Sequence, residues 1–140
     1  MTEDRELTVV TGVSRGIGFE LARQLAGASA ISTASVRGYQ PTPHLLDFAV
    51  IKSAIISFAH NLVRMLAERG IRVIVVAPVP VWTPLNPATM PDPTCFGEQS
   101  PLGRSAQPAE PAPAYVLLAS GQVTSITGEI VHATGGTPLP

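Results

Sequence analysis

Three glycines near the beginning of the chain have the spacing of a phosphate-binding turn. Gly12, Gly16 and Gly18 lie in the stretch TGVSRGIG, which follows a short apolar run and leads into a segment with helical spacing. Glycines between a strand and a helix let the backbone approach a pyrophosphate, whose charge is favoured at the amino end of the helix. The stretch therefore predicts a dinucleotide-phosphate site. A tight glycine turn without a ligand would show the same pattern.

A serine, a phenylalanine and a lysine form a second group of residues suited to chemistry. Ser35 is predicted to lie at the carboxyl end of a strand, where open α/β sheets bind ligands. Phe48 and Lys52 are four residues apart in a predicted helix, so their side chains share a face. Lys52 is the only lysine of the chain and interrupts an apolar stretch. The alternative interpretation is a surface lysine that extends its ammonium group into solvent.

The elements that must position these residues alternate between strands and helices. Apolar runs rich in β-branched residues predict strands at 7–12, 30–35, 71–77 and 128–133. Helical spacing predicts helices at 16–28, 46–69 and 111–120. Gly70 is expected to cap the second helix at its carboxyl end. The alternation predicts an α/β fold with a parallel sheet. If the first two strands pair directly, the four strands follow chain order across the sheet.

The helix predicted at 46–69 is apolar on more than one side. Its main apolar stripe consists of Ile51, Ile55, Phe58, Leu62 and Met65. Further apolar residues widen this stripe beyond what a single buried face needs. We therefore expect the helix to pack on two sides or to associate with a partner, for example in a homo-oligomer.

Composition places bounds on what the chain can be. With 140 residues it is expected to form one domain, 1–140. Its formal charge of −1 and pI near 6.3 indicate neither a nucleic-acid-binding surface nor a surface that binds anionic membranes. Cys95 is the single cysteine, which excludes an internal disulfide. The charged start MTEDRELT has no signal-peptide core, and no apolar run approaches the ~20 residues of a membrane span. We therefore expect a cytoplasmic protein, and we predict no metal site.

Prolines are concentrated in one part of the chain. Ten of the fourteen lie between Pro78 and Pro113. Because proline removes a backbone donor and interrupts helices and strands, residues 78–108 are predicted to be mostly loop. The length of this loop suggests a functional lid.

Taken in order, several stretches resemble the short-chain dehydrogenase/reductase family. They are TGVSRGIG, STASVRGYQPTPHLLDFAVIK, IRVIVVAPVPVWTP, and PLGRSAQPAEPAPAYVLLAS with the later ITGEIVHATGG. The stretch WTPLNPATM looks closest to bacterial members that are glucose- or ribitol-dehydrogenase-like. The resemblance implies a Rossmann-like, doubly wound parallel sheet, of which this chain would hold about four strands. It also implies an oxidoreductase that transfers hydride between NAD or NADP and a small alcohol or carbonyl compound.

The resemblance also assigns roles to individual residues. Ser35 matches the hydroxyl that polarises the substrate carbonyl, and Lys52 matches the lysine that holds the nicotinamide ribose. Thr83 matches the hydroxyl that meets the nicotinamide carboxamide. Arg15 is of the kind seen in NADP-preferring members, although the choice between NAD and NADP stays open. The residues that match the pyrophosphate turn are Gly12, Ser14, Arg15, Gly16, Ile17 and Gly18.

Two substitutions depart from the family pattern. Phe48 occupies the position of the catalytic tyrosine and has the same ring without the proton. Val79 stands where the family usually has glycine, beside the expected nicotinamide pocket. Tyr39 and His44 lie between the serine and Phe48 and are the candidates to replace the missing proton donor.

A third departure is an internal shortening. In family terms the first helix runs directly into the serine strand between Gly27 and Ile31. The second to fourth strands, the ribose-recognising residue and the asparagine of the proton relay then have no counterpart. We therefore expect an oxidoreductase that is weak or inactive. The alternatives are a non-catalytic dinucleotide-binding or assembly module, or a gene remnant without activity.

Overall fold

The computed structural model describes residues 28–78, 80–90 and 92–137, and within them three strands form one parallel sheet. The strands are β1 (Ser29–Thr33), β2 (Arg72–Pro78) and β3 (Ile130–Ala133), in the order β1-β2-β3. In the register, Ile31 pairs with Ile74, and Val76 with Val131. The predicted α/β class with a parallel sheet is confirmed. These strands follow chain order, as expected, whereas the strand predicted at 7–12 and most of the helix predicted at 16–28 lie outside the described residues.

Three helices accompany the described strands. They are α1 (Leu46–Leu66), α2 (Leu85–Thr89) and α3 (Ala112–Ala119). A 3-10 turn, Ala67–Arg69, continues α1 to Gly70, whose φ of 67° is left-handed, so the predicted glycine cap is confirmed. Pro111 precedes α3 and Pro113 lies in its first turn, where the missing N–H costs little. Between β2 and α3, α2 is the only helix in the described residues and most of that segment is turns, as the prolines predict.

One face of the sheet packs against α1. Small and β-branched side chains of β1 and β2 meet the helix there. The buried residues of this cluster are Ala30, Ala34, Ile56, Ala59, Leu62, Leu66, Ile71, Val73, Val75 and Ala77. Because successive strand residues point to opposite faces, every second residue of β2 belongs to this cluster. The cluster fixes α1 over β1 and β2.

The predicted apolar stripe of α1 is confirmed in its middle, since Leu62 is buried and Ile55 and Phe58 pack against the core, and it is wrong at its two ends. The residues of α1 that are buried are Ala49, Ile56, Ala59, Leu62 and Leu66. Ile51 and Met65, which were assigned to the stripe, are exposed by 58% and 64%. The face of α1 that meets the sheet is formed by Ile56, Ala59, Leu62 and Leu66, and the two ends of the predicted stripe lie outside it.

The opposite face of the sheet packs against α3. Ile31, Ile74, Val76 and Leu118 form its buried cluster, and Tyr115 packs against it. The Arg72 guanidinium, at the start of β2, donates hydrogen bonds of 2.7 Å to the Leu118 carbonyl and 3.0 Å to the Ser120 carbonyl. A cation bonded to the last carbonyls of a helix satisfies groups that have no partner within the helix. Arg72 therefore anchors the carboxyl end of α3 to the amino edge of the sheet.

Several large apolar side chains on the outer surface of α1 are exposed. Phe48, Val50, Ile51 and Met65 are each exposed by more than 40%. By length and composition alone, the helical segment Pro43–Arg69 could cross a membrane, contrary to the sequence-based expectation, with 22% of its apolar window buried. A core helix that packs on a sheet passes the same test, so this is weak support for a membrane segment.

Candidate functional site

The candidate site is built at the carboxyl edge of β1. Ser35 lies two residues beyond the end of this strand, which stops at Thr33 rather than at the predicted residue 35. Its backbone is extended, and its Oγ accepts a hydrogen bond of 3.3 Å from the Arg37 backbone N–H. Ser35 thus caps the 3-10 turn Val36–Gly38. Ser35 is half-buried and lies at the end of the sheet, where the sequence predicted it.

A close approach between this turn and α1 fixes Ser35 relative to the helix. The Ser53 hydroxyl donates a hydrogen bond of 2.7 Å to the Gly38 carbonyl. A Cβ at Gly38 would lie 3.1 Å from the Lys52 carbonyl carbon and 3.2 Å from the Ser53 backbone nitrogen. Only glycine lets the turn and the helix approach this closely. The serine turn and the lysine are therefore held by the same contact.

Lys52 extends from α1 to the end of β1. Its Nζ donates a hydrogen bond of 2.9 Å to the Thr33 carbonyl. The same Nζ lies 5.4 Å from the centroid of the Phe48 ring, within cation–π range. Partial burial lowers the pKa of Lys52 from its usual value. In the described part of the chain no carboxylate pairs with this ammonium group, so two of its three N–H donors remain available to a ligand.

The predicted pairing of Phe48 with Lys52 on one helical face is confirmed by this geometry. The Phe48 side chain is 42% exposed. A ring in this position can pack beside a ligand and attract the ammonium group, but it has no proton to give. The site thus combines a hydroxyl and a cation with an apolar ring.

Tyr115 also reaches the end of β1, and the sequence reasoning missed it. Its hydroxyl lies 2.8 Å from the Thr33 Oγ1. The two residues are 82 positions apart, so no local pattern predicts the contact. The one available signal is strand alternation: Thr33 has the parity of Ile31, whose side chain faces α3.

Neither candidate replacement for the proton donor is shown bonded to Lys52. The Tyr39 ring packs edge-on against His132, with ring centroids 5.5 Å apart, and burial raises its pKa. His44 lies exposed in the short turn Pro43–Leu45 before α1. The structure therefore does not support either side chain as the proton donor beside Lys52.

Of the remaining predicted residues, Thr83 is bonded within its own turn and the others lie outside the described residues. Thr83 precedes α2, where its backbone N–H and hydroxyl both donate to the Asn86 side-chain oxygen, at 2.6 and 3.0 Å. The structure thus gives Thr83 a structural partner at the start of α2. The predicted pyrophosphate residues and Val79 all lie outside the described residues.

Comparison with known proteins gives the same fold and a family. The family model described as enoyl-(acyl carrier protein) reductase matches residues 21–138. YghA, an oxidoreductase of Escherichia coli, is 47% identical over 116 residues, which are 81% of this chain and 40% of YghA. A glucose and ribitol dehydrogenase homolog of rice is 45% identical over 112 residues, covering 79% of this chain and 37% of the rice protein. An NADPH-dependent aldehyde reductase of Arabidopsis thaliana is 45% identical over 113 residues, with coverages of 79% and 39%.

Solved structures agree with these relatives. BdcA in complex with NADPH superimposes with a TM-score of 0.75 and 30% identity, covering 87% of this chain and 51% of BdcA. A 3-oxoacyl-[acyl-carrier protein] reductase of Brucella melitensis with bound NAD superimposes with a TM-score of 0.69 and 30% identity, covering 86% and 44%. The chain spans about 40% of the length of the curated relatives it matches. The order of motifs, the parallel sheet and these matches agree: the chain belongs to the short-chain dehydrogenase/reductase family.

Proposed function

We propose that this chain binds NAD or NADP and acts as a weak oxidoreductase on a small alcohol or carbonyl compound. The observation that carries the proposal is the position of Lys52. Its ammonium group is held at the carboxyl end of β1, above the ring of Phe48 and beside the turn that begins at Ser35. Hydroxyls of a ribose are ligands for which such an ammonium group is suited, because two of its donors are free.

The residues present fit a nicotinamide dinucleotide at this edge of the sheet. The carboxyl ends of parallel strands are where doubly wound folds bind dinucleotides. Relatives that carry NADPH or NAD in their structures share this fold, which supports the same cofactor class without choosing between the two. When bound, the dinucleotide supplies the hydride. The contribution of this chain is to orient it with Lys52 and to hold a substrate oxygen with the Ser35 hydroxyl.

The weakness that we propose follows from Phe48. Reduction of a carbonyl leaves an alkoxide that must receive a proton, and a positioned general acid typically contributes about 10²–10⁴-fold to the rate. Phe48 stands beside the lysine in the place of such an acid and cannot donate. The hydroxyl of Ser35 and the ammonium of Lys52 bind and orient, but the described site has no phenol next to the lysine.

The alternative function is a non-catalytic dinucleotide-binding or assembly module. Large apolar side chains on the outer surface of α1, among them Val50 and Ile51, which are exposed by about 60%, favour association through this helix. A gene remnant without activity would neither bind a dinucleotide nor associate specifically. Sedimentation or light scattering of wild-type protein and of Ile51→Lys tests association, because a charge on this surface should shift the oligomer to monomer.

Restoring the phenol tests the proposed activity. In Phe48→Tyr we expect NADPH-dependent reduction of small aldehydes to rise by about 10²–10⁴-fold, measured by NADPH absorbance. Phe58→Tyr is the matched control, because it adds the same hydroxyl to the same helix, ten residues away from Phe48, and should not raise activity. NADPH binding is measured in a separate experiment, by the quenching of Trp82 fluorescence. Trp82 is the only tryptophan and adjoins Thr83.

The outcomes separate the alternatives. If NADPH and NADH both leave Trp82 fluorescence unchanged in a folded protein, the proposed binding is wrong. If Phe48→Tyr binds NADPH and gains no activity, the missing phenol is not the cause of weakness and the binding module is favoured.

A further inference from the structure

Thr33 is contacted from both faces of the sheet at once. Its backbone N–H and carbonyl point away from β2, because the next residue, Ala34, donates its N–H to the Val76 carbonyl and successive strand residues alternate. The Thr33 carbonyl accepts from Lys52, which comes from the α1 face. The Thr33 side chain meets Tyr115, which comes from the α3 face.

Tyr115 is itself held in place by packing. It lies in the middle of α3 and packs against the cluster of Ile31, Ile74 and Val76. Arg72 fixes the far end of the same helix through the carbonyls of its last turn. The phenol hydroxyl is therefore presented to Thr33 by a helix that is anchored at the opposite edge of the sheet.

We propose that Tyr115 is a positioning residue for Lys52. Its hydroxyl holds Thr33 Oγ1, this bond fixes the last residue of β1, and the carbonyl of that residue fixes the Lys52 ammonium group. The consequence for ligand binding, that Tyr115 sets where the cation meets a ribose, rests on the proposed function. The effect of Tyr115 on the position of the Lys52 ammonium group does not depend on the proposed function.

Lysine-selective labelling makes this inference directly measurable. Since Lys52 is the only lysine, ¹⁵N-lysine gives one Nζ signal, and exchange of its protons with water reports whether the ammonium group is held. Loss of a hydrogen bond of ordinary strength corresponds to about a threefold to tenfold change. We expect Tyr115→Phe to accelerate Nζ proton exchange by about that factor while the ring keeps its packing.

Thr33 variants show whether the effect passes through that residue. Thr33→Val should accelerate exchange as much as Tyr115→Phe, and the double variant should add nothing further, because both changes break one bond. Thr33→Ser keeps the hydroxyl and should leave the exchange rate close to that of the wild type. Tyr39→Phe is the matched control, since it removes the hydroxyl of the only other tyrosine, whose ring contacts His132; no change at Lys52 is expected.

Amide spectra confirm that each variant is folded. Unchanged exchange in a folded Tyr115→Phe protein would overturn the inference, as would effects of Tyr115→Phe and Thr33→Val that simply add. The NADPH dissociation constant, measured from Trp82 quenching, should rise by about threefold to tenfold in Tyr115→Phe. If exchange accelerates while this constant stays the same, the positioning stands and the proposed contact between Lys52 and the ribose is wrong.

Discussion

Gly38 allows a quantitative test of how the candidate site is held together. A Cβ at this position would lie 2.9 Å from Ile56 Cδ1, 3.1 Å from the Lys52 carbonyl carbon and 3.2 Å from the Ser53 backbone nitrogen. The Ile56 methyl can rotate away. The other two atoms belong to the backbone of α1 and can move only with the helix, so the turn must shift in Gly38→Ala.

Two effects of opposite sign set the magnitude. Overpacking typically costs about 1–3 kcal/mol, whereas a glycine-to-alanine change at ordinary backbone angles gains about 0.4–1 kcal/mol through the unfolded chain. Since two of the three close neighbours are rigid, the steric cost should exceed the gain. We expect Gly38→Ala to lower the free energy of unfolding by roughly 1–2 kcal/mol.

Urea unfolding followed by Trp82 fluorescence and circular dichroism measures this change. Gly121→Ala is the matched control, because a Cβ there has no described neighbour within 4 Å and the backbone angles of Gly121 are not left-handed. We expect Gly121→Ala to be neutral or to stabilise by up to about 1 kcal/mol. If the Gly38→Ala protein is as stable as the Gly121→Ala protein, the argument that the turn and the α1 backbone leave no space for a Cβ at Gly38 is refuted.

Two further predictions concern Arg72, which anchors α3 to the sheet, and Glu110, which pairs with Arg104. Arg72→Met should lower the free energy of unfolding by about 1–3 kcal/mol, since it leaves the last carbonyls of α3 without their charged donor. The control Arg69→Met, in the exposed turn after α1, should change the free energy of unfolding by less than about 0.5 kcal/mol. Equal urea midpoints for the two variants would contradict this. Glu110, which pairs with Arg104 at 2.8 Å and accepts from the Gln107 N–H, has its pKa lowered to about 2 from 4.5. Its contribution to stability is therefore complete above pH 4.5 and lost as pH falls through about 2, and carboxyl NMR should show titration of Glu110 near pH 2, moving upward in Arg104→Gln.

The parts of the fold that were predictable are those governed by local periodicity. The β-branched runs of β1 and β2 and the glycine after α1 specified elements that the structure contains within a residue or two of the predicted ends. The four-residue spacing of Phe48 and Lys52 was likewise sufficient to place both side chains on one face. Helical period and strand alternation act over a few residues, so they can be recognised without the tertiary structure.

The parts that were not predictable depend on contacts between distant segments. The face of α1 that meets the sheet carries Ile56, Ala59, Leu62 and Leu66, and the apolar pattern of the helix alone did not exclude Ile51 and Met65 from it. The bond between Thr33 and Tyr115 requires the register of α3 on the sheet, which no local feature specifies. The bonds from Thr83 to the Asn86 side chain were also not anticipated, and the ligand contact that the resemblance implies for Thr83 stays a prediction.

The placement of α1 and α3 on opposite faces has a topological consequence. Both connections advance in the same direction across the sheet, from β1 to β2 and from β2 to β3, but one passes in front of it and the other behind. The two crossovers are therefore of opposite hand, and one is of the left-handed kind, which only about 2% of parallel connections adopt. A compact strand–helix–strand unit strongly favours the right hand, whereas the left-handed connection here includes the long segment between Pro78 and Ala112. The proline-rich segment thus belongs to the one of the two connections whose hand is uncommon.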